Sequence, residues 1–152
     1  MINFLKKIFR RLRPWGDESA KILRMHEKAQ KSYIKGHRHC AEYRSYRISR
    51  RYRCYINSNA KIGVGCFFPH PVGIVIGEGV KIGEKATIYQ GVTLGRKYMD
   101  KADYPVVGDN VIIYANVVVA GNIKIGDGAV IGCNSVVLRD VAAGETVSGI
   151  VK

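Results

Sequence analysis

The sequence predicts a mainly β chain, a parallel β-helix of hexapeptide repeats, preceded by a basic α-helical arm. Two observations carry this. Aliphatic residues recur every six positions through most of the chain, and an excess of positive charge stops abruptly near Cys54.

The repeat runs through Ile76, Ile82, Ile88 and Leu94, and resumes at Val107, Ile113, Val119, Ile125, Ile131 and Val137. Two residues before most of these stands a second apolar or small residue: Val80, Ala86, Val92, Val111, Val117, Ile123, Ala129 and Ser135. Positions i and i+2 of an extended segment share a face, so each pair predicts a short strand with one side turned inward. Gly follows at 77, 83, 95, 108, 126 and 132, where its backbone freedom is expected to permit a tight corner. A strand and a corner every six residues describe a solenoid whose coils stack on one another. An amphipathic helix would need a period near 3.6, which no window here offers.

The arm is defined by charge. Residues 1–54 hold sixteen Lys/Arg against four Asp/Glu, a net of +12, whereas residues 55–152 hold nine against eight. The chain therefore divides into a basic arm, 1–54, and a nearly neutral, Gly-rich β-helix domain, 55–152. In residues 2–15 the apolar Ile2, Leu5, Ile8, Phe9, Leu12 and Trp15 fall on one helical face, and Lys6, Lys7, Arg10, Arg11 and Arg13 crowd the other. That pattern suits either an interfacial helix on an anionic membrane surface or a helix packed on a partner subunit. Asp17 or Ser19 could cap a second helix reaching about Lys35, and a third is expected from His37 to Arg53. Basic residues and tyrosines together could serve a nucleic acid electrostatically, but no recognition motif accompanies them.

Cys40, Cys54, Cys66 and Cys133 form no C-x-x-C pair and read as reduced thiols, not as a disulfide frame. His37, His39 and Cys40 lack a fourth ligand at a useful spacing, so no metal site is expected. The opening residues lack a signal-peptide pattern, and no apolar run nears the roughly 18 residues that span a bilayer. A cytoplasmic location is expected, peripheral on the inner membrane face if the arm binds lipid.

Two interruptions break the six-residue rhythm, and function is commonly grafted at such places. After Ile62 and Phe68 the next rung, Ile76, comes two residues late, and the slack holds Pro69, His70, Pro71 and Gly73. After Leu94 the next rung waits until Val107, and the polar segment 96–104 is expected to loop out.

The run PHPVGIVIGEGVKIGEKATIYQGVTLG at 69–95, continued by VVGDNVIIYANVVVAGNIKIGDGAVIGCNSVVLRDV at 106–141, resembles the serine acetyltransferase-like branch of the hexapeptide-repeat acyltransferases. The resemblance implies a left-handed parallel β-helix, a homotrimer, and acetyl-CoA bound in a groove between neighbouring subunits. It implies that His70 is the general base that deprotonates the acceptor hydroxyl. Acetyl transfer to an alcohol needs such a base within hydrogen-bond reach, and imidazole changes protonation near neutral pH. His70 is also the only histidine of the repeat body. By the same resemblance Gly95, Ala115 and Cys133 occupy positions whose main chain meets the cofactor, and Lys124 and Arg139 are candidates for its phosphates.

Departures from the family pattern concern the acceptor. Serine acetyltransferases carry Asp where this chain has Tyr55 and Pro69, and an Arg-His pair where it has Asp103-Tyr104. A substrate carboxylate would be repelled by Asp103. The expected activity is therefore acetyl-CoA-dependent O-acetylation of a sugar hydroxyl in a surface polysaccharide or glycolipid. Serine acetylation and a non-catalytic β-helix scaffold are the alternatives.

Overall fold

The structure, a computed structural model, describes residues 14–98, 100 and 102–152, and only the backbone of 14–17. Two helices precede the β-helix: α1 (Pro14–Ile34) and α2 (Arg38–Tyr52). Fourteen strands of two or three residues follow among the described residues. The first sheet stacks β1 (Tyr55–Ile56), β3 (Val75–Ile76), β6 (Thr93–Gly95), β9 (Val118–Ala120), β12 (Val136–Val137) and β14 (Ile150–Val151). The second stacks β2 (Lys61–Ile62), β4 (Lys81–Ile82), β7 (Val106–Val107) and β10 (Lys124–Ile125). The third stacks β5 (Thr87–Ile88), β8 (Ile112–Ile113), β11 (Val130–Ile131) and β13 (Thr146–Val147). Each passage of the chain visits the three sheets in turn, with isolated bridges at Phe67 and Val141 where a strand is missing, and every pairing is parallel, so the three sheets form a three-sided prism.

The inward column is the six-residue repeat. Ile76, Ile88, Leu94, Ile113, Val119, Ile131 and Val137 are fully buried, and so are Val80, Ala86, Val92, Val111, Val117 and Ala129. Burial of each Val, Ile or Leu stabilises by about 1.5–3 kcal/mol, against a net of about 0.5–1.5 kcal/mol for a ladder hydrogen bond. The rungs outweigh the two-residue strands that carry them.

The glycines after the rungs play a different part from the expected one. Gly77, Gly83, Gly108, Gly126 and Gly132 do not adopt positive φ. They make room. A Cβ on Gly83 would lie 2.6 Å from the Gly108 carbonyl carbon of the next coil, and one on Gly126 would lie 2.7 Å from Ala143 Cα. The left-handed backbone falls instead at the third residue of the corners, at Gly91, Asn116 and Asn134 between the third and first sheets and at Gly65, Lys85, Asn110, Gly128 and Gly144 between the second and third. Carboxylates stitch successive coils there: Asp109 Oδ1 accepts from the Glu84 N–H at 2.6 Å, and Asp127 Oδ1 from the Asp109 N–H at 2.8 Å.

The prism's outer faces differ. The first sheet shows a register-matched column of Tyr55, Val75, Thr93, Val118, Val136 and Ile150, and the third shows Thr87, Ile112, Val130 and Thr146 beside Phe67. The second shows Lys61, Lys81, Val106 and Lys124. Two faces are thus largely apolar and one is lined with lysines.

The helices close one end of the prism. Ile22 of α1 and Ile48 of α2 are fully buried and belong to the same apolar cluster as the coils. His26 Nε2 lies 3.0 Å from the Ala60 carbonyl oxygen, and Gln30 Nε2 donates to the same oxygen at 2.7 Å. Burial pushes the pKa of His26 below the ordinary imidazole value, against a smaller raising effect from that hydrogen bond, and leaves Nδ1 without a partner. The expected third helix appears as α2, bounded by His37 and by Arg53 in the left-handed conformation. The expected cap at Asp17 or Ser19 does not, because α1 already runs from Pro14. The Ser19 hydroxyl is turned to a tertiary task and accepts from the Phe68 N–H at 2.9 Å. The amphipathic stripe of residues 2–15 lies outside the described residues up to 13. Among the described residues no helix is long and apolar enough to cross a membrane.

Candidate active site

His70 sits on the edge between the third and first sheets, in the one corner there with two extra residues. Phe67 pairs with Thr87, so residues 69–74 do the work that 89–92 do one coil later. The extra length folds into a small turn: the Val72 N–H donates to the His70 carbonyl at 2.8 Å across the buried Pro71. The turn is tied on both sides. The Gly73 N–H donates to Arg53 O at 2.9 Å, and the Gly91 N–H donates to Val72 O at 2.9 Å. Pro69 and Pro71 fix φ on each side of His70. The sequence thus presents an exposed imidazole on a stiff pedestal.

The rest of this edge is a stack. Tyr89 begins the next corner, with its ring 6.3 Å from the His70 ring at an interplanar angle of 60°. Tyr114 begins the one after, 5.0 Å from Tyr89 and nearly parallel at 27°. The second corner position holds Gln90, Ala115 and Cys133 in succession, joined by main-chain bonds from Asn116 N–H to Gln90 O and from Asn134 N–H to Ala115 O, both 2.9 Å. Ala115 and Cys133 therefore lie on the His70 edge. Cys133 is exposed, and all four cysteines are free thiols.

The other predicted residues gather elsewhere. Gly95 ends β6 on the edge between the first and second sheets, with open space where a Cβ would stand. Arg139 follows β12 on that edge too. Its guanidinium pairs with Glu145 at 2.8 Å and donates to Asp140 O at 2.7 Å and Lys152 O at 3.2 Å. Lys124 opens β10 on the lysine face and donates its N–H to Asp140 Oδ1 at 2.8 Å. The looped segment leaves from the Gly95 edge as expected. With Asn59, Glu78, Lys81 and Asn122 it encloses a cleft of about 540 Å³.

Asp103 and Tyr104 both line that cleft. Tyr104 is half-buried and packs on the core. Its ring covers the turn Gly77–Gly79 so closely that a Cβ on Gly79 would lie 2.8 Å from its Cγ. Asp103 does not stand alone: Arg96 and Lys81 line the same cleft, opposite in sign to Asp103 and Glu78. A carboxylate entering it would meet two cations as well as two anions, so Asp103 alone does not set the field there.

One chain therefore carries the predicted residues on two different edges: His70 with Ala115 and Cys133 on one, and Gly95 with the looped segment on the other. Tyr89 and Tyr114 escaped the sequence reading, although each directly follows a rung residue, Ile88 and Ile113, at the same step of the repeat. Lys81 and Glu78 escaped because nothing in the sequence joins them to a loop some twenty residues later. Among the described residues no group of three or more His, Cys, Asp or Glu is placed to hold a metal.

Comparison with known proteins agrees with this architecture. Residues 104–139 match the bacterial transferase hexapeptide family (six repeats). A serine acetyltransferase of Staphylococcus aureus is 50% identical over 96 residues, which is 62% of this chain and 45% of that protein. The crystal structure of a Neisseria gonorrhoeae serine acetyltransferase superposes with a TM-score of 0.85 at 34% identity, covering 88% of this chain and 52% of that one. A Brucella abortus serine acetyltransferase, solved in complex with coenzyme A, gives 0.85 at 30% identity over 88% of this chain and 54% of that one. The chain spans about half the length of the relatives it matches. The prism is thus the left-handed β-helix that these structures share, and in repeat and fold the chain is similar to the serine acetyltransferases among the hexapeptide-repeat acyltransferases.

Proposed function

We propose that the chain transfers an acetyl group from acetyl-CoA to the hydroxyl of a small acceptor, with His70 as general base. The observation that carries this is the widened corner that holds one exposed imidazole on the edge of a β-helix shared with serine acetyltransferases. His70 takes the hydroxyl proton as the oxygen attacks the thioester carbonyl. The carbon–sulfur bond then breaks, and the imidazolium returns the proton to the departing thiolate. The main chain at Gly95, Ala115 and Cys133 would hold the pantetheine arm. Lys124 is the better of the two phosphate candidates, since the Arg139 guanidinium is engaged with Glu145.

Serine is the acceptor best supported. The relatives named above are serine acetyltransferases, and a cleft with both Arg96 or Lys81 and Asp103 or Glu78 suits a zwitterion. The sugar acceptor expected from the sequence rested on departures at Tyr55, Pro69 and Asp103-Tyr104, and the relatives favour the serine alternative over it. Free-thiol release from acetyl-CoA with L-serine and with a panel of saccharides tests the reading. Serine-dependent turnover is expected. Faster turnover with a saccharide would reverse the choice of acceptor, and none with any acceptor would favour a scaffold.

The separation of the candidate residues onto two edges and the two apolar faces support a homotrimer, because neighbours can cover those faces and bring one chain's loop edge toward another's His70 edge. The basic stripe of residues 2–15, with Arg44, Arg47, Arg50 and Arg51 exposed on α2, supports contact with an anionic membrane surface. Sedimentation at low salt reads both. A mass of three chains is expected in free solution, with pelleting when vesicles rich in anionic lipid are added. A monomer, or full-length protein that stays in the supernatant, would remove the corresponding reading.

A further inference from the structure

We propose that Tyr89, backed by Tyr114, is the positioning residue for the His70 imidazole. This rests on the reading of His70 as the base. The prolines fix the backbone around His70, but they leave its two side-chain torsions open. Base catalysis tolerates little misplacement of the ring: an error of about 1 Å can cost on the order of 10² in rate.

The ring stack supplies the hold. Tyr89 stands one coil below the widened corner, with its ring 6.3 Å from the imidazole and tilted by 60°. Aromatic pairs are attractive at centroid separations of about 4.5–7 Å in tilted or offset arrangements. Tyr89 is itself not free to swing, since Tyr114 lies 5.0 Å beneath it, close to parallel. The backbone locks the order of the stack: Tyr89 N–H donates to Ile113 O at 2.9 Å and Tyr114 N–H to Ile131 O at 3.0 Å. The column is thus built from three successive coils, and its top ring is the imidazole.

Other ionisable groups lie on the elements packed around this corner. Arg53 lies where Gly73 is anchored, Cys54 beside it, and Cys66 and the Glu18–Lys21 pair near Phe68. Of the groups named here, Tyr89 is the one in ring contact with His70. Position 89 also lies outside the core, so its side chain can be changed without opening a cavity there.

The test compares Tyr89→Leu with Tyr89→Phe in the full chain. Tyr89→Leu is expected to lower kcat about tenfold or more with the KM for acetyl-CoA unchanged, and Tyr89→Phe to restore kcat. In protein selectively labelled at histidine, the Hα–Hβ couplings of His70 should report one rotamer in wild type and Tyr89→Phe, and averaged rotamers in Tyr89→Leu. Wild-type kcat or a single rotamer in Tyr89→Leu would overturn the proposal. So would failure of Tyr89→Phe to recover, because the hydroxyl and not the ring would then be acting. The couplings need no turnover. An enzyme inactive with every acceptor would therefore sink the general-base reading while the couplings still decide whether Tyr89 positions the ring.

Discussion

Replacing His70 with Ala lowers kcat by about 10²–10⁴, the usual yield of a positioned general base. The melting temperature of that variant stays close to wild type, because His70 is exposed and lies outside the apolar cluster. The separation matters. A loss of rate together with a loss of stability would say only that the corner had collapsed. Steady-state rates of thiol release and a thermal melt on the same preparation decide between them. The KM for acetyl-CoA should hardly move, since the groups proposed to bind the cofactor, the main chain at Gly95, Ala115 and Cys133 and the Lys124 side chain, are all left in place. Unchanged turnover in His70→Ala would take His70 out of the mechanism.

Phe68→Ala carries the largest expected effect on stability. Phe68 is the largest of the fully buried side chains, and it stands two residues before His70. Truncating a buried Phe costs about 3–5 kcal/mol through lost apolar burial and the cavity left behind. In a chain of this length that corresponds to a fall in melting temperature of roughly 6–20 °C. The effect reaches further than the core, because the Phe68 N–H is also the donor that ties the widened corner to Ser19 of α1. A denaturant midpoint close to wild type would mean that the surrounding side chains refill the space. It would also remove Phe68 as the anchor of this corner.

The sequence revealed the prism because a solenoid repeats one contact many times, so that the period of Ile76 to Val137 survives any single exception. It misled about the corners. Period alone cannot distinguish a Gly needed for its φ from a Gly needed because the next coil passes within 3 Å, and Gly83 and Gly126 are of the second kind. The start of α1 was missed for a related reason. Ser19 has the chemistry of a helix cap, but its partner, Phe68, is forty-nine residues away. The site was legible in part. His70 announced itself through a slip in register, which is a local signal. Asp103 was read by its own charge, and Arg96 and Lys81 became its neighbours only when the loop folded back over an earlier coil. The aromatic stack under His70 is the same case: Tyr89 and Tyr114 stand twenty-five positions apart and meet because one coil of the chain, loop included, separates them.

The helical cap has a bearing on how copies of this molecule can associate. An open end of a solenoid is an unfinished sheet on three sides, with carbonyls and N–H groups ready to receive another coil, and such edges template filaments. Here α1 lies across that end. His26 and Gln30 both occupy the Ala60 oxygen, and Ile22 closes over the apolar shaft. A second prism cannot continue the coils from this side, so growth along the axis is blocked there. The flanks stay available for a closed ring.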